Sequence, residues 1–270
     1  ANAEMFASLA DDLLTDAELP PATDATRLAA ATEVAGVLAL LSGKVLGQFD
    51  PYTAAPGERG RLLLVAPNVL AAERAMGVVP ADFRLWVALH EQTHALQFAA
   101  APWLVGHLRQ RLSALSTGLL PGHVGVRELG GRLLGALRDV KDVGLLAVLS
   151  AEQRAVFDEV SAVMALVEGH ADVTMDQVGS AVVPTVATIR SRFDFRRDEA
   201  AAVRGPARVL RLVLGMDLKL AQYREGAAFV RGVQAKVGVD GFNAVWTAPE
   251  LLPTPAEIAA PAAWVARVHG

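Results

Sequence analysis

The chain has 270 residues, of which 53% are hydrophobic and 20% are charged, and its formal net charge at pH 7 is −4. It contains no cysteine, so disulfides and thiolate metal ligands are excluded, and any metal ion must be held by His, Asp or Glu. No basic patch or acidic tail stands out in the sequence, so a nucleic-acid partner is not expected.

The length suits one large domain, and we assign residues 1–270 to a single domain. The first residues lack the charged-then-apolar pattern of a signal peptide. The longest apolar run near the start, Val34–Leu41, is far shorter than the ~20 residues that a membrane span needs. We therefore expect a cytoplasmic protein with no membrane partner. Arginine far outnumbers lysine and alanine is abundant, which suggests a GC-rich bacterial genome.

The spacing of apolar residues predicts two N-terminal helices, Phe6–Leu14 and Thr26–Leu41. Two short strands follow, Val45–Phe49 and Arg61–Val65, and the turn-rich stretch between them predicts a hairpin or a small sheet. A strand in this position could pair with an extended peptide. Further helices are predicted over Val69–Met76, Pro80–Ala101, Trp103–Leu115, Val126–Val140, Ser150–Val178, Thr185–Arg197, Ala207–Val213 and Met216–Val237, and near Trp264. Strands and helices do not alternate, so we predict a mainly α fold without a parallel sheet.

The helix predicted from Pro80 contains the pattern H-E-x-x-H, formed by His90, Glu91 and His94. Residues four apart lie on the same face of a helix, so the two imidazoles could bind one metal ion. Glu91 lies about 100° round the helix, where its carboxylate could act as general base on a metal-bound water. This is the helix-borne pattern of zinc hydrolases, and it predicts Zn²⁺ as the cofactor. The apolar residues around the motif predict a helix buried nearly all round.

A third zinc ligand is expected, because zinc hydrolases usually hold the metal with three protein ligands. The long helix from Ser150 supplies Glu168, His170 and Asp172. Glu168 and His170 point about 200° apart on a regular helix, so only one of them can face the zinc. We prefer Glu168, because Asp172 lies one turn further on nearly the same side and could accept a hydrogen bond from the free ring N–H of His90. His170 stays the alternative metal ligand.

Tyr223 is one of two tyrosines and falls on the helix predicted from Met216. Its hydroxyl could stabilise an oxyanion beside the zinc, which makes it a candidate catalytic residue. The alternative is a packed tyrosine whose hydroxyl is hydrogen-bonded elsewhere.

The chain resembles a family of bacterial zincin-like hydrolases, mainly from actinobacteria and their relatives, one branch of which is associated with the biosynthesis of a deazaflavin coenzyme. The resemblance covers most of the chain. It is carried by the segments Gly47–Pro51, Leu63–Asn68, Asp82–Val87, His90–His94, Leu166–Asp172, Lys219–Tyr223 and Phe242–Trp246. It implies a mainly helical zincin-like domain, but no particular substrate. Chains of the family usually extend further at the N-terminus, so we expect this one to begin inside the family's pattern.

Three functions remain open from the sequence. The first is a zinc-dependent hydrolase, above all a metallopeptidase, acting on a peptide or another small amide with Glu91 as general base. The second is a binding or assembly protein that keeps the zincin core with little turnover. The third is a di-iron carboxylate bundle, since Glu91-x-x-His94 is also an E-x-x-H motif. That design needs a second E-x-x-H, which the sequence lacks, so it ranks last.

Overall fold

A computed structural model describes residues 45–51, 60–117, 149–201 and 216–270 of the chain. Side chains are described in these ranges except at 116–117, 197–201 and 216–223. The helices predicted over Phe6–Leu14, Thr26–Leu41, Val126–Val140 and Ala207–Val213 lie outside the described residues.

The described chain is mainly helical and contains one small antiparallel sheet, which confirms the predicted fold class. The strands are β1 (Gly47–Asp50) and β2 (Arg61–Leu64). The helices are α1 (Ala66–Met76), α2 (Pro80–Ala100), α3 (Leu104–Thr117), α4 (Ala151–Val182), α5 (Val186–Ala201), α6 (Met216–Phe242), α7 (Pro255–Ala259) and α8 (Pro261–His269). Two 3₁₀ turns, Asn243–Trp246 and Pro249–Leu251, lie between α6 and α7. None of the helices in these ranges combines the length and apolar character that a bilayer span requires.

The two strands pair with Gly47 opposite Leu64. Just beyond them, the N–H of Val65 donates to the carbonyl of Leu46 at 2.9 Å. Hydrogen-bonded pairs alternate along an antiparallel ladder, so the backbone polar groups of Gly47 and Phe49 point away from β2. These groups form the outer edge of β1, and this edge faces α2, as the contact described below shows.

The helix boundaries follow local signals in the sequence. Ser150 and Gln153 form a capping box at the start of α4, since each side chain bonds the other's backbone N–H. Gly179 and Gly238 have φ of +71° and +72°, so α4 and α6 break close to the positions where the predicted helices end. Helix α1 begins three residues earlier than predicted, because Pro67 lies in its first turn and does not end the strand.

The described core consists of two hydrophobic clusters, and α2 and α4 contribute to both. One cluster packs α1, the first half of α2 and α5, and it includes Phe83, Trp86 and Ile189. The other packs α3, α4, α6 and the C-terminal helices, and it includes Leu166 and Trp264. The H-E-x-x-H motif lies on α2 between the residues that enter these two clusters.

Helices α4 and α6 cross at very short range. A Cβ built on Gly169 would lie 2.1 Å from the backbone carbon of Gly226, and one on Gly226 would lie 1.8 Å from the carbonyl oxygen of Ala165. Because Gly169 lies between Glu168 and His170, this crossing fixes α6 against the helical turn that supplies the candidate third ligand.

Candidate metal centre

His90 and His94 lie one helical turn apart on α2, as the spacing predicts. Their ring centroids are 4.9 Å apart and the rings are nearly perpendicular, at 89°. The side chains are largely buried, with exposed fractions of 19% for His90 and 12% for His94. Two imidazoles in this arrangement can bind one ion through their Nε2 atoms.

Glu168 of α4 lies opposite both histidines. Its Oε2 atom is 3.6 Å from Nε2 of His90 and 3.7 Å from Nε2 of His94. In the described part of the chain, these three residues form the one group of His, Asp and Glu side chains with metal-ligand spacing, and their ligand atoms all lie within 4.8 Å of one another.

The two distances from Glu168 fit a tetrahedral zinc ion. Zinc bonds of about 2.1 Å at tetrahedral angles separate ligand atoms by about 3.4 Å, which is close to the two distances from Glu168. Two imidazole nitrogens and one carboxylate oxygen are a known ligand set for catalytic zinc. Three protein ligands leave a fourth position for water or substrate, so the site also fits a catalytic use.

The carboxylate of Glu91 is not part of this group, but it is close enough to interact with the charges of His90 and Glu168. It accepts a hydrogen bond from the backbone N–H of Phe49 in β1. The residue is buried, and burial raises the pKa of its carboxyl to about 7. The negative charge of Glu168 adds to this increase, while a charged His90 and the Phe49 bond oppose it. A carboxyl with this pKa can both accept and release a proton near neutral pH, as a general base must. A bound dication would favour the ionised form.

The pKa of His90 is raised above its usual value. Burial is the largest single influence and lowers it, but the hydrogen bond and charge of Glu168, with the charges of Glu91 and Asp172, together outweigh burial. The nearby carboxylates therefore attract positive charge to this position, whether it is carried by a proton or by a metal ion.

Asp172 does not make the predicted bond to His90. The Nδ1 atom of His90 is buried without a hydrogen-bond partner among the described residues. Asp172 instead pairs with Arg190 of α5 at 3.0 Å, and Arg190 also donates to the Asp172 carbonyl. A guanidinium is a stronger partner for a buried carboxylate than a neutral imidazole, which explains why Asp172 binds Arg190.

His170, the alternative ligand, lies outside the metal cluster. Its Nδ1 atom is 2.9 Å from the amide nitrogen of Gln97, and its ring stacks on Phe242 and meets the edge of Trp246. Burial, with a smaller contribution from His94, lowers the pKa of His170 to about 4. The structure thus places Glu168, and not His170, opposite the two histidines of α2.

The amino-acid sequence matches the zincin-like metallopeptidase family over residues 3–265. The chain belongs to this family. The match spans nearly the whole chain and includes all the residues of the candidate metal centre, which confirms the resemblance inferred from the sequence motifs. The deazaflavin-associated branch stays a prediction.

The zincin-like chain is also similar to a solved structure, the crystal structure of "a putative hydrolase with a novel fold" from Chloroflexus aurantiacus. The two chains are 34% identical with a TM-score of 0.58, over 87% of this chain and 67% of the other. No curated protein matches the sequence. The family match and the similar structure together support a metal-dependent hydrolase as the general class of this protein.

The di-iron alternative finds no support in the described residues. A di-iron bundle needs several carboxylates around two metal ions. Here Glu168 is the one carboxylate grouped with the histidines, and Glu91 binds the backbone of β1.

Helix α2 is less buried than predicted. Leu85 and Leu96 are 41% and 62% exposed, and Gln92 is exposed as well.

Tyr223 falls on α6, but its side chain lies outside the described part of the chain, so its catalytic role stays a prediction.

Two neighbours of the metal centre were not identified from the sequence. Gln97 is almost fully buried and contacts both His94 and His170. Gln97 is seven residues after His90 and lies on the same helix face, so this spacing could have predicted its place beside the histidines. Gly47 lies so close to Glu91 that an added Cβ would be 2.6 Å from its Cγ. Nothing in the local sequence predicts that contact, because it joins a strand to a helix 44 residues away.

Proposed function

We propose that this protein is a zinc-dependent metallopeptidase in which His90, His94 and Glu168 hold the metal and Glu91 is the general base. The observation that carries the proposal is the convergence of those three ligand atoms next to a buried carboxylate. Membership of a metallopeptidase family supports the same reaction class.

The chemistry follows from the residues around the fourth metal position. Zinc held by the three ligands would lower the pKa of a water molecule at the fourth position to about 7 and would polarise the scissile carbonyl. Glu91 would take a proton from that water and then deliver it to the leaving amine nitrogen as the C–N bond breaks, which would return Glu91 to its carboxylate form. Phe49 holds the Glu91 carboxylate in place through its backbone N–H. Tyr223 is proposed to donate to the oxyanion, and replacing it with Phe tests this role.

An extended peptide is the proposed substrate class, because the outer edge of β1 lies beside Glu91. The backbone groups of Gly47 and the carbonyl of Phe49 point away from β2, while the N–H of Phe49 is bound to Glu91. The described sheet has no third strand on that edge. A peptide that pairs with such an edge satisfies its own backbone groups without any requirement on its side chains. Nucleic acid and membrane partners are not part of the proposal, and a cytoplasmic location stays a prediction.

The test begins with the metal. Mass spectrometry of the purified protein should give one zinc per chain, whereas two irons per chain would support the di-iron alternative. Wild-type protein and Glu91→Gln are then compared on a diverse peptide library. We expect Glu91→Gln to keep the zinc and to lose hydrolysis by several orders of magnitude. Full activity in Glu91→Gln would refute the general-base role, and bound zinc without any hydrolysis would favour the binding or assembly protein.

A further inference from the structure

The amide side chain of Gln97 contacts three groups around the metal centre. Its Oε1 atom is 2.9 Å from Nδ1 of His94, and its Nε2 atom is 2.8 Å from the carbonyl oxygen of Val167 and 2.9 Å from Nδ1 of His170. The residue is 2% exposed, so water cannot replace these partners. We propose that Gln97 is a positioning residue that sets the tautomer of His94 for metal binding and ties α2 to the segment of α4 that carries Glu168. The inference rests on the proposed zinc site.

The carbonyl of Val167 fixes the orientation of the Gln97 amide. A carbonyl oxygen can only accept a hydrogen bond, so the group facing it must be the amide NH₂. The amide oxygen therefore faces His94, and as an acceptor it requires a proton on Nδ1 of His94. In the neutral ring this leaves the lone pair on Nε2, the atom that faces Glu168. Gln97 thus keeps His94 in the tautomer that a metal ion needs, before any metal binds.

The same amide also fixes the role of His170. Because Nε2 of Gln97 donates toward Nδ1 of His170, that nitrogen must accept, and the proton of this neutral ring is on Nε2. The ring stacks on Phe242 and makes an edge contact with Trp246. His170 therefore holds the amide of Gln97 in place, and it has this role without being a metal ligand.

Gln97 also links the two helices that supply the ligands. Its partners Val167 and His170 flank Glu168 on α4, while Gln97 and His94 are on adjacent turns of α2. The three hydrogen bonds therefore restrain the distance from Nε2 of His94 to Oε2 of Glu168. Residues that hydrogen-bond a metal ligand without touching the metal are its outer partners. Removing an outer partner typically weakens metal affinity by about 10- to 100-fold.

The first experiment measures tautomers in the wild-type, metal-free protein. Long-range ¹H–¹⁵N NMR distinguishes the two imidazole tautomers, and the chain has only 6 histidines, which single His→Gln variants can assign. We expect the proton on Nδ1 in His94 and on Nε2 in His170. A proton on Nε2 of His94 would overturn the inference, and no variant is needed to reach that result.

The second experiment compares zinc affinities by competition with a chelator. Gln97→Met keeps an unbranched side chain but removes all three hydrogen bonds, and we expect zinc to bind about 10- to 100-fold more weakly. Gln97→Glu keeps an acceptor for Nδ1 of His94 but removes the donor to Val167 and His170, so it should keep the proton of His94 on Nδ1, whereas Gln97→Met should not. Gln92→Met is the matched control, because Gln92 is exposed on the same helix, and its zinc affinity should equal that of wild type.

The outcomes separate this inference from the proposed function. If the wild type does not bind zinc through His90, His94 and Glu168, the proposed function fails, while the tautomer measurement still tests Gln97. If the wild type binds zinc and Gln97→Met binds it equally well, with the His94 tautomer unchanged, the role of Gln97 is refuted. The same His94 tautomer in Gln97→Met and Gln97→Glu would refute the role assigned to the bond with His94.

Discussion

The carboxylate of Glu91 accepts a hydrogen bond from the backbone N–H of Phe49, so β1 directly contacts the side chain proposed as general base. Gly47 lies beside the same carboxylate, where a Cβ would be 2.9 Å from Cδ and from Oε1 of Glu91. The outer edge of β1 thus has two functions in the proposed reaction. It holds the base, and we propose that its remaining backbone groups pair with an extended peptide.

Gly47→Ala should displace Glu91 and leave the metal ligands in place. A displacement of about 1 Å at a catalytic group can cost about 10²-fold in rate, so we expect kcat to fall by that order while zinc affinity changes little. Peptidase kinetics and chelator competition measure the two effects. Gly106→Ala is the control, because a Cβ there meets no atom within 4 Å. If Gly47→Ala kept the wild-type kcat, the contact with Glu91 would have no role in positioning the base.

The ligand set predicts which substitutions release zinc. His90→Ala, His94→Ala and Glu168→Gln each remove one atom of the cluster, so each should lose the stoichiometric metal measured by mass spectrometry. His170→Gln should retain zinc with at most the affinity loss expected of an outer partner, about 10- to 100-fold. Loss of zinc in His170→Gln together with normal binding in Glu168→Gln would reverse the assignment of the third ligand.

The crossing of α4 and α6 should not tolerate a methyl group. In Gly226→Ala the added Cβ would meet the carbonyl oxygen of Ala165 at 1.8 Å, and neither backbone can move without separating the helices. Overpacking typically costs about 1–3 kcal/mol, and we expect Gly226→Ala to lie at or above that range in urea unfolding. Gly106→Ala should be neutral or raise the free energy of unfolding by up to about 1 kcal/mol, since Ala favours helices. An unchanged urea midpoint in Gly226→Ala would contradict the close crossing.

The C-terminal helices contain an acid-sensitive ion pair. Glu257 binds Arg267 through two contacts of 2.6 and 2.9 Å and also accepts from the N–H of Thr254. The hydrogen bond with Arg267, together with its charge and the bonds from Thr254, lowers the pKa of Glu257 below its usual 4.5. A lowered folded-state pKa means that this stabilisation is complete above the unfolded value and is lost as pH falls through the folded one.

We therefore expect Glu257→Gln to have a lower urea midpoint than wild type at about pH 7, and a smaller difference at acid pH, as the pH falls through the lowered pKa of the wild-type carboxyl. An equal difference at both pH values would show that the ion pair does not contribute to stability through its charge. Glu250→Gln is a suitable control, because Arg267 contacts the backbone carbonyl of Glu250 and not its carboxylate.

Some features of this protein were determined by the sequence alone. The placement of His90 and His94 on one helix face, the capping box at Ser150 and the breaks at Gly179 and Gly238 each depend on residues within one helical turn. Such features follow from backbone geometry, which is the same in every helix. The mainly α fold and the hairpin also follow from local periodicity and turn residues.

The tertiary structure alone decided the remaining features of the metal centre. Glu168 faces the histidines because α4 has a particular rotation against α2, and the hydrogen bond from Gln97 to the Val167 carbonyl joins the two helices at this point. Asp172 binds Arg190, a residue that sequence spacing could not bring to it. Gln97 and His170 are 73 residues apart. Contacts at this separation depend on how whole helices pack, and the pattern within one helix carries no information about its rotation against another.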